Sequence, residues 1–211
     1  MGIITKIEPL DGKRSKVFLE EEFAFVLYKG EIKQYKIKEG EVLPRETYEE
    51  IMQVLLPKRA KKRALYLLQK RSYTEKKLWD KLQEGWYPRE SIEQAIEYAK
   101  SYHYLDDYAY ALDYIFYRKE TLSRKIIEEK LRQKGISSQI LQQVMGEAYS
   151  CREEEEELQL QQALKLLKKR SYHGENEDPK EWQKQYAYLS RKGISSAVIK
   201  KALSLSVEFF E

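Results

Sequence analysis

Apolar positions change their spacing once along this chain. Up to Tyr28 they alternate with polar ones: Ile3-Ile4-Thr5-Lys6-Ile7, an Asp11-Gly12 turn signal, Lys16-Val17-Phe18-Leu19, and Phe23 to Tyr28 beyond the polar Glu20-Glu21-Glu22. A period of two predicts short strands with one buried face. A short helix is predicted over Glu31 to Lys38, stopped by Gly40. Another is predicted from just after Leu43-Pro44, where Pro suits a first helical turn, to just before Pro57. Residues 1–57 then form a small β-containing module, too small to be very stable alone.

Beyond Pro57 the period becomes 3.6. Ala60, Ala64, Leu67 and Leu68 line one helix face, Leu78 and Leu82 a second, and Ile92, Ala95, Ile96 and Ala99 a third. The plan recurs through Ala109, Leu112, Ile115 and Phe116, then Ile126, Ile127 and Leu131, then Leu141, Val144, Met145 and Ala148. Thr74 and Ser123, 49 residues apart, are both of the type that caps a helix N-terminus. A third round runs through Leu160, Ala163, Leu164 and Leu167, then Trp182, Tyr186 and Leu189, then Val198, Ile199, Ala202 and Leu203. It carries a polar insertion near His173 to Pro179. Literal echoes support the repetition. Leu67-Leu68-Gln69-Lys70-Arg71-Ser72-Tyr73 returns as Leu166-Leu167-Lys168-Lys169-Arg170-Ser171-Tyr172, and Lys134-Gly135-Ile136-Ser137-Ser138 as Lys192-Gly193-Ile194-Ser195-Ser196. The expected fold is mostly α: a tandem array of three three-helix repeats, 58–105, 106–150 and 151–211, after the N-terminal module. In such an array function resides in a surface and needs no central pocket.

Composition narrows the classes. The 211 residues include 35% charged side chains and 17 Tyr, few Gly and Pro, and enough apolar material to exclude general disorder. The longest apolar run, Phe23 to Tyr28, is far too short to span a bilayer. Met1 to Lys6 lacks a secretory pattern, and Lys6 stands where myristoylation needs Ser or Thr. A lone Cys151 has no internal disulfide partner, so a reducing cytoplasm is expected. The net charge of +4 is unevenly spread. Residues 1–57 carry 9 basic and 11 acidic side chains, 58–150 carry 19 and 13, and 151–211 carry 11 of each. The middle of the chain is where an anionic partner is drawn.

Against this background the chain resembles the RecX family, small bacterial regulators of the recombinase RecA. The resemblance rests on Arg71 with Thr74-Glu75-Lys76-Lys77-Leu78-Trp79-Asp80-Lys81-Leu82, on Tyr104-Leu105-Asp106-Asp107-Tyr108-Ala109-Tyr110-Ala111, and on Lys130-Leu131-Arg132-Gln133-Lys134-Gly135-Ile136. Glu22-Phe23-Ala24-Phe25 and Lys38-Glu39-Gly40-Glu41 are similar to the β-rich extension of longer members. Two departures stand out: His103 replaces the signature's usual glycine, and Glu84-Gly85-Trp86-Tyr87-Pro88 reads one residue longer than its counterpart in the second repeat.

Candidate sites are surfaces. Lys58, Arg59, Lys61, Lys62 and Arg63 stand in what reads as the first turns of a helix, where the dipole favours anions, so a binding role is the stronger account. Arg118, Lys119, Arg124, Lys125, Arg132 and Lys134 gather around the second repeat's middle helix, with Glu128 placed to pair with Arg124 or Arg132. Glu153 to Glu157 opens a helix that closes on Lys168-Lys169-Arg170, an arrangement its dipole rewards; a decoy for basic surfaces is the lesser account. Asp106 reads as an N-cap and not as a metal ligand. Tyr98, Tyr102, Tyr104, Tyr108, Tyr110, Tyr114 and Tyr117 read mainly as packing, with one or two available to stack on bases. His103, His173 and Cys151 lack catalytic or metal-binding companions, and no phosphate-cradling glycine loop is present, so no enzyme activity and no cofactor are expected.

The resemblance implies a monomeric, non-enzymatic regulator that lodges on the RecA nucleoprotein filament. It would hinder filament extension, ATP turnover, strand exchange and repressor cleavage. Single- or double-stranded DNA, read with weak sequence preference, would be a second partner, and no membrane is involved. The contact residues expected are Lys61, Lys62, Arg63, Arg71, Arg118, Arg124, Lys125, Arg132 and Lys134. The alternative is a stand-alone DNA-binding protein of helix-turn-helix type. Against it, Glu93-Gln94 and Gln142-Gln143 occupy helices where a recognition helix would carry more Arg, Asn and Lys.

Overall fold

The computed structural model describes residues 2–172 and 178–205. His173 and most of the predicted insertion lie outside these residues. The chain divides into two compact units, Met1–Asp106 and Asp107–Glu211.

In the first unit, β1 (Gly2–Pro9), β2 (Arg14–Leu19), β3 (Glu22–Tyr28) and β4 (Val42–Leu43) form an antiparallel sheet in the order β3-β2-β1-β4. Two-residue connections that follow strand twist need both residues in the left-handed region. Glu20 (φ 50°) and Glu21 (φ 70°) adopt it without Asn or Gly. The inward face packs Ile4, Val17, Phe25, Leu27 and Leu43. The helix expected over Glu31 to Lys38 is α1, Lys29–Gln34, and it ends before Gly40. Lys36 takes the left-handed conformation (φ 51°), and the Ile37 N–H closes the last turn on the Ile32 carbonyl at 3.0 Å. Gly40 instead donates its N–H to the Ile4 carbonyl at 2.8 Å, tying the loop to β1.

The second expected helix does not stop at Pro57. α2 (Arg45–Glu50) runs through a π-helical segment, Ile51–Leu55, directly into α3 (Leu56–Lys70). A mid-helix proline lacks one N–H donor, and its ring collides with the carbonyl four residues back. The widened π turn, with the Leu56 N–H bonded to the Ile51 carbonyl, lies on the stretch where that collision would fall. One rod therefore carries Ile51 and Leu56 into the sheet's core, and Ala60, Ala64 and Leu67 into the next.

That next core belongs to α3, α4 (Glu75–Gln83) and α5 (Arg89–Ser101), with Leu78, Leu82, Ile92, Ala95, Ile96 and Ala99 facing inward as the periodicity requires. The connection from α4 to α5 is not lengthened. Trp86, Gly135 and Gly193 are the left-handed residues at φ 64°, 88° and 79°. Each following N–H (Tyr87, Ile136, Ile194) returns to the carbonyl of Leu82, Leu131 or Leu189. The left-handed residue of this turn is Trp86 and not Gly85. Gly85 is needed for space, since a Cβ there would lie 2.9 Å from the Tyr87 ring.

The second unit holds α6 (Asp107–Arg118), α7 (Arg124–Gln133) and α8 (Ser138–Ala148) around Ala111, Ile115, Ile127, Leu131, Leu141 and Val144. It also holds α9 (Arg152–Lys168), α10 (Pro179–Arg191) and α11 (Ser196–Leu205) around Leu160, Ala163, Leu167, Leu189, Val198 and Ile199. Thr74 caps α4 by accepting from the Lys77 N–H at 3.3 Å. Ser123 stands at the corresponding place on α7, but its hydroxyl makes no cap bond; it donates to the Lys192 carbonyl at 2.7 Å.

Candidate interaction surfaces

Because α3 is continuous with α2, the cations at 58–63 lie well inside a helix, and the argument from a first-turn dipole lapses. They also divide between two faces. Lys58, Lys61 and Lys62, spaced i, i+3, i+4, line an open groove with Val54, Pro57, Leu65 and Tyr98. Among the described residues none of the three lysines has a carboxylate within ion-pair distance, and Lys61 Nζ lies 5.6 Å from the centre of the Tyr98 ring.

Arg59 turns the other way and is not a surface cation. Its side chain is 12% exposed; NH1 donates to Glu31 Oε2 at 3.0 Å and to the Val26 carbonyl at 3.2 Å, while the guanidinium lies 4.4 Å from the Tyr28 ring centre. The same Glu31 oxygen accepts the Tyr28 N–H at 2.7 Å, so one carboxylate fixes the start of α1 and the side of α3 together. Burial raises the Tyr87 hydroxyl above its usual range, partly offset by Arg59. Arg63 lies on this second face over Tyr66, which Lys70 approaches from one turn further on. Arg71, with extended backbone just beyond α3, covers Tyr73 at 4.6 Å.

In the second unit the expected cations are more heavily engaged. Arg132 pairs with Glu128 (2.7 Å) and Glu129 (3.1 Å) along α7. Arg124 does not use Glu128. It reaches Glu155 on α9 at 2.9 Å and stacks 5.3 Å from the Tyr149 ring centre. The acidic run is thus more than a favourable helix start, because Glu155 is one half of a tie between α7 and α9. Burial, with Glu155 nearby, pushes the Tyr149 hydroxyl up to about 12. Lys134 lies over Tyr110 and Tyr114. Arg118 and Lys125 are exposed or nearly so, without an ion pair among the described residues.

The structure therefore brings Lys61 and Lys62 together with Lys58, which the contact set omitted. It places Arg63 and Arg71 over neighbouring tyrosines, and commits Arg124 and Arg132 to internal carboxylates. The signal for the second group was present as spacing for Glu128–Arg132; nothing in the sequence marked Glu155 as the partner of Arg124. Among the described residues no helix is long and apolar enough to cross a membrane, and no group of His, Cys, Asp or Glu is placed to hold a metal ion.

A family model described as the first three-helix domain of RecX matches residues 60–98, and one described as the third matches 156–203. A regulatory protein RecX from Caldanaerobacter subterraneus subsp. tengcongensis is 31% identical over 207 residues, 97% of this chain and 100% of its own. One from Clostridioides difficile (strain 630) is 27% identical over 216 residues, covering 100% and 99%. A crystal structure of regulatory protein RecX superposes with a TM-score of 0.63 at 28% identity, over 97% of this chain and 100% of that one. RecX from Lactobacillus salivarius shares the fold with a TM-score of 0.60 at 21% identity, over 74% of this chain and 98% of that one.

Proposed function

The chain belongs to the RecX family of regulatory proteins, and on that premise we propose that it binds the RecA filament assembled on single-stranded DNA and restrains its extension and ATP turnover. The observation that carries this reading is the lysine face of α3. Three cations share one side of the continuous α2–α3 rod and have no carboxylate of the described residues within ion-pair distance, whereas Arg59, Arg124 and Arg132 are used internally. Unpaired cations held on a fixed scaffold favour an anionic assembly over solvent, and several weak contacts add on a polymeric partner. Arg63, Arg71, Arg118, Lys125 and Lys134 remain secondary contacts, and Arg124 and Arg132 contribute only where a phosphate or carboxylate competes with their present partners. Reading of a duplex groove draws less support, since α5 carries Glu90, Glu93 and Glu97 and α8 carries Gln142 and Gln143.

The test is DNA-dependent ATP hydrolysis by the recombinase with this protein at substoichiometric ratio. Turnover falls with the wild-type chain and recovers with Lys61→Glu/Lys62→Glu, whose thermal midpoint is unchanged. Unaltered turnover at equimolar wild-type protein overturns the proposal.

A further inference from the structure

The longest apolar run of the chain, Phe23 to Tyr28, lies on β3, the end strand of the sheet. A strand at an edge carries a row of backbone groups that a further strand can pair with. The register says which groups these are. The Lys29 N–H reaches the Lys13 carbonyl at 3.0 Å, and bonding and non-bonding pairs alternate along an antiparallel ladder. Arg14–Tyr28 and Lys16–Val26 are therefore non-bonding pairs, so the N–H and C=O of Tyr28 and Val26 point away from β2. Ala24 is skipped by the register, an irregularity that interrupts pairing further along the edge. The opposite edge, β4, is two residues long and runs into Pro44.

The outward groups of Tyr28 and Val26 are met by side chains. Glu31 Oε2 accepts the Tyr28 N–H at 2.7 Å, and Arg59 NH1 donates to the Val26 carbonyl at 3.2 Å. An added strand would bring a backbone carbonyl to the first and a backbone N–H to the second. The ion pair, closed at 3.0 Å, supplies the same acceptor and the same donor. Folding alone does not call for it. Both side chains are largely buried, and Arg59 Nε has no hydrogen-bond partner among the described residues. A buried pair of this kind is often no better for stability than apolar residues of similar volume.

We propose that the β3 edge is a latent pairing surface for a second copy of this chain, held closed by the Arg59–Glu31 pair. The occupant follows from the strand itself. Phe23 to Tyr28 is an apolar, strand-forming run without a charge, Pro or Gly, the composition that pairs with its own copies. A two-fold axis sets the same edge of two chains against each other, so each copy offers the other the groups that Arg59 and Glu31 now imitate. The pairing is independent of any contact with the recombinase filament.

The experiment measures mass by light scattering across a range of concentrations, with circular dichroism of every variant. Arg59→Met/Glu31→Leu removes the pair without leaving one charge buried. It doubles the mass relative to the wild type at micromolar concentration, and its Tyr28 amide exchanges more slowly as concentration rises. Adding Phe23→Lys, which brings like charges to the paired edges, returns the mass to the wild-type value. Leu82→Ala truncates the core of the same unit and separates edge opening from general loosening. At a matched fraction folded in urea it keeps the wild-type mass. Should the double variant not fold, Glu31→Ala alone uncovers the Tyr28 N–H and carries the same expectation. A folded variant with wild-type mass at every concentration, equal assembly in Leu82→Ala, or assembly that survives Phe23→Lys each overturn the guard.

Discussion

The Ser123 hydroxyl donates to the Lys192 carbonyl at 2.7 Å, joining the start of α7 to the turn between α10 and α11. Gly193, the next residue, has φ 79°, and a Cβ built on it would stand 2.4 Å from Ser123 Oγ. Two repeats of the second unit are thus held at a distance that only a hydroxyl facing a bare glycine allows.

Removing either partner has a distinct cost. Ser123→Ala loses one largely buried hydrogen bond, about 1 kcal/mol. Gly193→Ala meets the hydroxyl and also places a side chain in the left-handed region, about 2–3 kcal/mol in sum. Because the close atom is gone in the first variant, the double variant costs less than the two singles added. Urea unfolding of the four proteins measures this, and strict additivity would show that the contact is incidental.

Arg59 offers a second test, of structure against surface. Its guanidinium, nearly buried with Glu31 at 3.0 Å and stacked on Tyr28, joins α3 to the sheet. Arg59→Ala leaves Glu31 without that cation and costs about 3 kcal/mol or more. Arg59→Lys recovers only part, since an ammonium keeps the charge and loses the planar stack. The readout is unfolding free energy. Affinity for DNA or filament, measured where both proteins are folded, stays at the wild-type value.

Trp86 gives a third. It holds φ 64° where the other repeats have glycine, with Phe23 at 5.6 Å and Lys16 Nζ 4.0 Å from its ring centre. The ring's contacts with β2 and β3 offset the strain of its backbone. Trp86→Ala loses the ring and keeps the strain, so it is the least stable. Trp86→Gly loses the ring and relieves the strain, and is more stable than Trp86→Ala by about 1 kcal/mol. The reverse order in thermal melting would refute this account.

These particulars show where the sequence could be read and where it could not. Positions such as Ala60, Ala64, Leu78, Leu82, Ile127 and Leu131 are buried as their 3.6 spacing implies, because burial of a helix face is a local, periodic signal. Pro57 misled, because a π turn upstream absorbs its clash and no residue type announces a π turn. The echo at Ser72 and Ser171 misled in a subtler way. Arg71 leaves α3 in an extended conformation while Ser171 turns left-handed (φ 52°), so Leu67 and Leu167, one register apart, are the buried leucines. On the surface, charge type was legible and allegiance was not. Glu128–Arg132 follows from spacing, whereas Arg59–Glu31 and Arg124–Glu155 join residues 28 and 31 apart and exist only once the helices are packed.

Tyr149 links stability to pH. Its hydroxyl is buried without a hydrogen-bond partner among the described residues, and its folded pKa is pushed up to about 12 from 10.0 by burial, with Glu155 adding to the effect and Arg124 opposing it. A raised pKa means that the folded state holds the proton more tightly than the unfolded one. The contribution is therefore fully present below pH 10 and is lost as pH rises towards 12. Tyr149→Phe removes a hydroxyl with no hydrogen-bond partner among the described residues, so at pH 7 it changes stability by no more than about 0.5 kcal/mol. Between pH 10 and 12 the wild type therefore loses stability relative to the Phe variant. Thermal midpoints of the pair across that range decide the matter: a constant difference would mean that the hydroxyl ionises as freely in the fold as in the open chain.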